Sequence, residues 1–341
     1  MTEKINQLKK LLEQPKQISI VIHRNPDGDA IGSGLALRKF LINKGHRVDL
    51  ISPNPVPDYL RWMPGTKDII VYDDEPEKVS EILNNSELIF TLDFNDLSRV
   101  GTLLEEVLKK LDDKTFVMID HHLNPKDYAK FTFSDDKKSS TSEMVYDFIT
   151  ELGSKNDIDK DMATNLFTGI MTDTGSFKFP NTTSHTMRVA GELMDKGAEN
   201  NKIQVKIYDS FSRNKMKLLG KTINKMIFIP EYKTAYMVLT KNNLKKYKYR
   251  KGDTEGFVNY GLALKAANFA VLFLENEDGT VRISFRSKGD FPANEFAKRY
   301  FNGGGHLNAA GGRTNENIET AVEKFLEKLP EFYKDYTNNN V

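Results

Sequence analysis

The sequence contains no cysteine among its 341 residues. Disulfide bonds, thiolate nucleophiles and cysteine-ligated zinc or iron–sulfur centres are therefore excluded. Any metal ion would have to be bound by aspartate, glutamate, histidine or carbonyl oxygen. The side chains that could bind a metal ion are therefore chiefly carboxylates and imidazoles.

Long hydrophobic runs are also absent. No apolar stretch reaches the roughly 18 residues expected of a membrane-spanning helix. The first 17 residues, MTEKINQLKKLLEQPKQ, are polar and amphipathic, and they lack the apolar core and small-residue cleavage site of a secretory signal. We therefore expect a cytoplasmic protein that does not engage a membrane.

The sequence has little excess charge of either sign. It contains 49 lysines and arginines against 48 aspartates and glutamates, a net charge of +1. Proteins that hold long nucleic acids usually carry a strong basic excess. We expect a small substrate and no long nucleic-acid partner, although a local basic groove stays possible in a balanced chain. The length itself predicts about two domains.

The first half of the chain alternates short apolar strands with amphipathic helices, as at 31–44 and 97–111. This alternation predicts an α/β fold with a mainly parallel sheet and flanking helices. His23, Asp93 and Asp120 each follow or end an apolar run, and ligands bind at the carboxyl ends of parallel strands. The predicted strands are 18–23, 46–52, 68–72, 87–93 and 115–120.

The pattern becomes helical from about 141 to 225 and then strand-rich again. Residues 267–287 read as a hairpin around the EDG turn. We expect a smaller α/β domain in this second half, closed by a helix near 316–328. The predicted divisions are a first domain at 1–200, a helical linker at 201–225, a second domain at 226–332 and a frayed tail at 333–341.

The stretch HRNPDGDAIGSG, residues 23–34, follows the first predicted strand. Gly28 is expected to turn the loop sharply between two carboxylates, and Gly32 and Gly34 to bring the next helix close to the sheet. The start of that helix would also offer free backbone N–H groups to an anion. The spacing matches neither a dinucleotide fingerprint nor a phosphate-binding loop with a lysine.

Six side chains could form one metal centre. Taken singly, Asp93 could cap a helix and Asp173 could end one. Taken together, four carboxylates and two imidazoles at one site would repel each other unless cations lay between them. Oxygen and nitrogen ligands suit Mn²⁺ or Mg²⁺, and two ions that share a carboxylate are the usual device for displacement at phosphorus. The six are His23, Asp27, Asp29, Asp93, His121 and Asp173.

A second cluster, FNGGGHLNAAGGR, spans residues 301–313. Its glycines indicate close approach of the backbone to a ligand or to a neighbouring strand. Arg286, His306 and Arg313 could bind a phosphate, whereas Lys288 is better explained as a surface charge.

These motifs resemble the DHH family of phosphoesterases. The resemblance is carried by H-x-x-x-D-x-D at 23–29, by D-H-H at 120–122, and by the single residues Asp93 and Asp173. Residues 286–312 resemble the DHH-associated C-terminal domain with its GGGH motif. The length and layout are similar to the nano-RNase/pAp-phosphatase (NrnA-like) branch. The resemblance implies a DHH catalytic domain, a C-terminal substrate-binding domain and an active-site cleft between them.

The resemblance also assigns roles to residues. It implies two divalent ions, with manganese expected and magnesium or cobalt as alternatives. His23 and Asp27 would bind one ion, Asp29, His121 and Asp173 the other, and Asp93 both. Asp120 would orient His121, and His122 would lie close to the scissile phosphate. The residues expected to bind substrate are Arg99, Arg286, Gly304, Gly305 and His306.

The activity implied is that of a metal-dependent hydrolase. It would degrade very short RNA from one end to mononucleotides and dephosphorylate 3′-phosphoadenosine 5′-phosphate (pAp) to AMP, by two-metal activation of water. A cyclic di-AMP or pApA phosphodiesterase is the alternative. A catalytically silent nucleotide-binding regulator is disfavoured because the ligand set is complete. A homodimer is a further expectation from the resemblance.

Overall fold

The computed structural model describes residues 2–339. The chain forms two compact units, Met1–Ser210 and Phe211–Val341. Each unit contains one six-stranded sheet with helices packed against it. The α/β class predicted from the alternation of apolar runs is therefore confirmed. Among the described residues, no helix has both the length and the apolar character needed to cross a membrane.

The sheet of the first unit is parallel throughout, as predicted. Its strand order is β3-β2-β1-β4-β5-β6, so the winding direction changes between β1 and β4. The carboxyl ends of these two strands lie side by side, with Ile22 opposite Leu92. In such sheets this position is the usual ligand site. The strands are β1 (Gln17–Ile22), β2 (Arg47–Ser52), β3 (Ile70–Val71), β4 (Leu88–Leu92), β5 (Thr115–Asp120) and β6 (Phe131–Ser134), of which β6 was not predicted.

Within the described part of this unit, eight α-helices accompany the sheet: α1 (Thr2–Leu11), α2 (Gly28–Asn43), α3 (Pro76–Asn85), α4 (Thr102–Lys109), α5 (Thr141–Leu152), α6 (Lys160–Asp173), α7 (Ser184–Asp195) and α8 (Asn200–Tyr208). The larger core lies under α2, α5 and α6, and the smaller one under α3 and α4. The single helix predicted at 97–111 is in fact a 3₁₀ turn followed by α4. Gly101 separates them because its φ of 90° lies outside the helical region.

The structure explains why α2 contains glycine at these positions, and two of the three explanations differ from those predicted. Gly28 lies in the first turn of α2 without a positive φ, so the predicted sharp turn is wrong; a Cβ there would collide with the Thr172 side chain of α6. At Gly32 a Cβ would collide with the Asn165 carbonyl, also on α6. Only at Gly34 does the sheet limit the space, through Leu50 at 2.9 Å. Two of the three glycines therefore let α2 approach α6.

The second unit has a mixed sheet in the order β11-β12-β10-β9-β8-β7. Strands β8 and β9 are parallel, the other pairs are antiparallel, and the predicted hairpin of β9 and β10 is confirmed. The strands are β7 (Ile227–Ile229), β8 (Thr234–Leu239), β9 (Phe269–Glu275), β10 (Val281–Ser287), β11 (Gly304–His306) and β12 (Ala309–Thr314). The helices are α9 (Arg213–Asn224), α10 (Lys241–Lys246), α11 (Asn259–Leu262), α12 (Ala293–Tyr300) and α13 (Ile318–Asn339).

The two faces of this sheet bear different helices. Helices α12 and α13 pack on one face over a core rich in phenylalanine, and α9, α10 and the segment around 257–262 pack on the other. The predicted frayed tail is wrong as far as residue 339, because α13 continues while Phe332, Tyr333 and Tyr336 pack against the core. Residues 340–341 of that tail lie outside the described residues. Within the stretch predicted as a linker, α8 packs in the first unit and α9 in the second.

Candidate active site

Three neighbouring strands of the first unit bring polar side chains to one edge. His23 directly follows β1, Asp93 directly follows β4, and Asp120 is the last residue of β5. All three are buried. The sequence placed these groups at strand ends, and the parallel order of β1, β4 and β5 explains why they meet.

Asp93 occupies the centre of the cluster. Its backbone has a φ of 65°, a left-handed conformation that aspartate adopts more readily than most residues, and it does not cap a helix. Asp93 Oδ2 lies 3.4 Å from His23 Nε2, and Asp93 Oδ1 lies 3.6 Å from His121 Nε2. The two oxygens of one buried carboxylate therefore face two different imidazoles.

The six predicted ligands fall into two groups around Asp93. One group joins His23, Asp27 and Asp93, and the other joins Asp29, His121 and Asp173; within each, one ligand atom per residue lies within 4.8 Å of the others. The family resemblance assigns the same residues to two ions, and that assignment stays a prediction. Asp173 takes part as the last residue of α6.

Asp27 also has a structural role, as the N-cap of α2. Its Oδ1 accepts hydrogen bonds from the backbone N–H groups of Asp29 and Ala30, at 3.0 and 3.1 Å, and so caps α2. The prediction of an open anion site at this helix start is therefore wrong, because a carboxylate of the chain already fills it.

Asp29 is held by the start of α5, a contact that the sequence analysis missed. Its two oxygens accept hydrogen bonds from the N–H groups of Thr141 and Ser142, at 2.7 and 2.8 Å. The Thr141 hydroxyl donates to Asp93 Oδ1 at 2.9 Å. The pattern Ser140–Glu143 is a recognisable helix start, but nothing local indicates that it faces a carboxylate 112 residues earlier.

Asp120 does not orient His121, as the resemblance implies, but His122. Asp120 Oδ1 lies 2.7 Å from His122 Nδ1, and Asp120 Oδ2 accepts from the His122 backbone N–H at 3.1 Å. The reason is the alternation of an extended chain, which places residues i and i+2 on the same side. The Asp120 carboxylate therefore fixes the ring of His122.

The imidazoles of His23 and His121 are oriented by carbonyl oxygens. His23 Nδ1 lies 2.9 Å from the Arg24 carbonyl oxygen, and His121 Nδ1 lies 3.3 Å from that of Lys138. A carbonyl oxygen only accepts, so each Nδ1 carries a proton. In a neutral ring the lone pair then resides on Nε2, the atom that points at the carboxylates. A lone pair directed at carboxylate oxygen is favourable when a cation lies between them.

Burial makes this cluster electrostatically costly without cations. Burial raises the pKa of Asp93 well above its ordinary value, and the charges of Asp29 and Asp27 raise it further. Burial likewise raises the pKa of Asp29 and lowers that of His23. For His121, burial opposes protonation, but the charges of Asp173 and Asp29 outweigh it and raise the pKa. A site lined by oxygen and nitrogen atoms, with this excess of carboxylates over positive charges, fits divalent metal ions.

The expected substrate-binding residues occupy different settings. Arg99 is exposed in the 3₁₀ turn Leu97–Val100, and its carbonyl accepts the Arg24 N–H at 2.9 Å. Arg286 lies on β10, and its guanidinium donates to the Phe285 carbonyl at 2.9 Å. Arg313 lies 3.6 Å from Asp278 in an exposed ion pair.

The three glycines of the GGGH motif, which leads into β11, have different roles. Gly305 has a φ of 140°, and a Cβ there would collide with the Ala309 carbonyl of the neighbouring strand. Gly303 is confined in the same way by the Gly311 carbonyl. Around Gly304, by contrast, no described heavy atom lies within 4 Å of the position of a Cβ. His306, at the end of β11, is half-buried.

Comparison with known proteins places both units in one family. The model for the DHH family, N-terminal domain, matches residues 17–170, and the model for the DHHA1 domain matches residues 231–335. A Thermus thermophilus protein named bifunctional oligoribonuclease and PAP phosphatase NrnA is 31% identical, over 94% of this chain and 91% of its own. A Bacillus subtilis protein named cyclic-di-AMP phosphodiesterase GdpP is 26% identical, over 96% of this chain but 49% of its own.

A crystal structure gives the same result. An exopolyphosphatase-related protein from Bacteroides fragilis superposes with a TM-score of 0.93 at 38% identity, covering 98% of this chain and 97% of that protein. Both domain matches and the similarity to NrnA over most of both chains agree with one another. The chain belongs to the DHH family of phosphoesterases, in the branch that contains NrnA.

Proposed function

We propose that this protein is a metal-dependent hydrolase that degrades very short RNA to mononucleotides and converts pAp to AMP. The observation that carries the proposal is the position of Asp93, one oxygen of which faces His23 and the other His121. The name of the Thermus thermophilus relative supports both substrates.

The chain's own residues would divide the work as follows. His23, Asp27 and one oxygen of Asp93 would hold one divalent ion, and the other Asp93 oxygen would join the second ligand group. When bound, two such ions supply positive charge to the phosphoryl group and lower the pKa of water. The carbonyls of Arg24 and Lys138 keep the two ligand imidazoles in the orientation that this requires. We propose Mn²⁺ as the ion.

His122 has a separate role in this proposal. The bond from its Nδ1 to Asp120 fixes the plane of the ring and directs Nε2 away from Asp120. We assign Nε2 to an oxygen of the scissile phosphate, which the ring would face in the orientation that Asp120 fixes. Asp120 is thus a positioning residue, and its replacement should change turnover more than metal binding.

In the second unit, Arg286 and His306 would bind a phosphate of the substrate, and Arg99 would assist from the first. The open space above Gly304 supports this assignment, because no packing within the described residues requires glycine there. Glycine would then serve to let a ligand approach the backbone.

The test compares substrates side by side. We expect Mn²⁺-dependent turnover of a dinucleotide and of pAp to exceed that of a twenty-residue RNA, with Mg²⁺ and Co²⁺ as metal controls. Asp93→Asn serves as the inactive control. Faster cleavage of the twenty-residue RNA would contradict the proposal.

A second candidate is cyclic di-AMP or pApA hydrolysis, favoured by the similarity to GdpP. The chain spans only about half of that relative, so the similarity supports this activity less than the main proposal. Cyclic di-AMP and pApA belong in the same panel. A kcat/KM for cyclic di-AMP above those for the dinucleotide and pAp would replace the main proposal with this one.

A further inference from the structure

The net charge of the chain is near zero, but the positive and negative residues are distributed unequally between the two units. The first unit contains 27 lysines and arginines against 34 acidic residues, and the second contains 22 against 14. Most of the positive charge is local: residues 213–251 contain 12 cations and one acid, Glu231. A run of 39 residues with a net charge of +11 is a strong electrostatic feature.

These cations are gathered by the fold on one side of the second sheet. Leu218 and Leu219 of α9 and Leu244 of α10 share a core with Met237 and Leu239 of β8. Their helices therefore present their polar sides outward from the same face. We call the exposed cations of α10 and of the turn after it the basic face: Lys241, Lys245, Lys246, Lys248, Arg250 and Lys251.

The basic face is separate from the substrate-binding residues proposed above. It covers the β8 side of the sheet, whereas the GGGH motif forms β11 at the opposite edge. Four strand spacings of about 4.8 Å, roughly 19 Å in all, separate β8 from β11. A ligand of the basic face therefore need not touch Gly304 or His306.

The chemistry of the basic face favours a phosphate backbone. Lys241 lies 3.5 Å from Glu275, but among the described residues no carboxylate lies within ion-pair distance of Lys245, Lys246 or Lys248. No large hydrophobic side chain between 241 and 255 is exposed. A protein partner would require an apolar centre to the interface, and a membrane surface would require apolar side chains to insert. A dense group of exposed cations without exposed apolar side chains among them instead suits a polyanion.

We propose that the basic face binds the phosphate backbone of single-stranded RNA longer than the substrates of the active site. Lysines act on phosphate as point charges, so the binding is independent of sequence and falls steeply with salt. This proposal adds a second RNA-binding surface to the chain. RNA is the polyanion chosen because the proposed function already handles RNA, but the binding requires neither the metal centre nor catalysis.

The experiment measures the affinity for a fluorescently labelled 24-residue RNA by anisotropy, with EDTA present so that no cleavage occurs. The test variant is Lys245→Glu/Lys246→Glu. The matched control is Lys298→Glu/Lys334→Glu, which makes the same charge change on exposed residues of α12 and α13, on the opposite face of the sheet. We expect the test variant to bind about tenfold more weakly or worse, and to lower the slope of log K against log salt by about 1.4. The control should stay within about twofold of the native protein.

Three outcomes would overturn the proposal. These are equal loss of affinity in both variants, no loss in either, and a selective loss of binding to anionic phospholipid vesicles or of self-association without loss of RNA affinity. Circular dichroism verifies that both variants fold. Mn²⁺-dependent hydrolysis of a dinucleotide, measured in parallel, should be unchanged in both, which separates failure of this proposal from failure of the proposed catalytic function.

Discussion

The two units have sheets of the same size, but they differ in whether their ionisable side chains are buried. The first unit buries His23, His46, Asp29, Asp93, Asp120, His121 and Glu143. Among the described residues of the second unit, every buried polar side chain is a hydroxyl: Thr222, Thr234, Thr254, Ser287 and Thr314. The first unit has a net charge of −7 and the second of +8. Buried charge is costly and is retained where chemistry needs it, whereas surface charge attracts ligands at low cost.

Sheet topology explains where the buried charge can collect. All strands of the first sheet point the same way, so the residues after β1, β4 and β5 meet at one edge. In the second sheet most neighbouring strands are antiparallel, so successive strand ends lie at opposite edges. The comparison predicts that metal chemistry depends on the first unit and substrate affinity on the second.

The largest effect expected is that of Asp93→Asn. Asparagine keeps the size and tolerates the left-handed backbone, but it loses the charge that faces both ligand groups. We expect kcat/KM for a dinucleotide to fall about a thousandfold or more, equivalent to roughly 4 kcal/mol. Bound Mn²⁺, measured by elemental analysis, should fall as well.

His306→Ala in the second unit sharpens this contrast. It should raise KM about tenfold while bound Mn²⁺ stays at the native level, because the loss of one charge-assisted contact costs roughly 1.5 kcal/mol. Loss of metal from this variant would break the division between the units.

Removal of metal should make the stability of the first unit fall as pH rises. The raised carboxyl pKa values mean that native metal-free protein binds more protons than unfolded protein above pH 4, so stability falls as pH rises through the raised pKa values. The raised pKa of His121 acts in the same direction. Trp62, the one tryptophan, packs against the first core and reports urea unfolding there.

The control for this measurement is again Asp93→Asn. Burial lowers the pKa of His23, which opposes the trend below pH 6.5 and is retained in the variant. In EDTA, the urea midpoint of the native protein should fall with rising pH, and that of Asp93→Asn should fall less. A midpoint that rises with pH in the native protein would show that burial does not hold these carboxyls protonated.

Asp120→Asn should have a smaller, catalytic effect. Because Asp120 contacts His122 and not the ligand His121, we expect kcat to fall about 10–100-fold while two Mn²⁺ remain bound. Loss of one Mn²⁺ would restore the role that the family resemblance implied.

The smallest effects concern exposed helical glycines, one in each unit. Gly191 in α7 and Gly220 in α9 have no described neighbour within 4 Å of a Cβ, so Gly191→Ala and Gly220→Ala should each stabilise by about 0.5–1 kcal/mol. Gly169→Ala is the contrasting variant, because its Cβ would collide with Ser142 and Asp29. Urea midpoints measure all three, and destabilisation by Gly191→Ala or Gly220→Ala would contradict the argument.

Much of the site could be predicted from the sequence because strand ends are a local signal. His23, Asp93 and Asp120 each follow or end an apolar run, and a parallel sheet gathers such ends. The prediction that Asp120 orients His121 was wrong, although the i, i+2 alternation of a strand favours His122. The separation of charge between the halves could also be counted from the sequence, but which helix sides face outward could not.

The contacts of Asp29 could not be predicted in the same way. Thr141 and Ser142 donate to it across more than a hundred residues, and the hydrogen bonds depend on how α5 packs beside α2. The reasons for Gly28 and Gly32 have the same origin, since both lie against α6 and not against the sheet. Long-range helix packing leaves no periodicity in the sequence.

The close packing of α2 on α6 has a consequence for how the active site can be lost. Asp29 lies in the first turn of α2 and Asp173 at the last position of α6, where Gly28 lets the two helix ends meet. The Asp29 and Asp173 side chains therefore cannot separate by the movement of a loop alone. Amide hydrogens of both helices should exchange with solvent only through unfolding of the whole unit, and thermal inactivation should coincide with that unfolding rather than precede it.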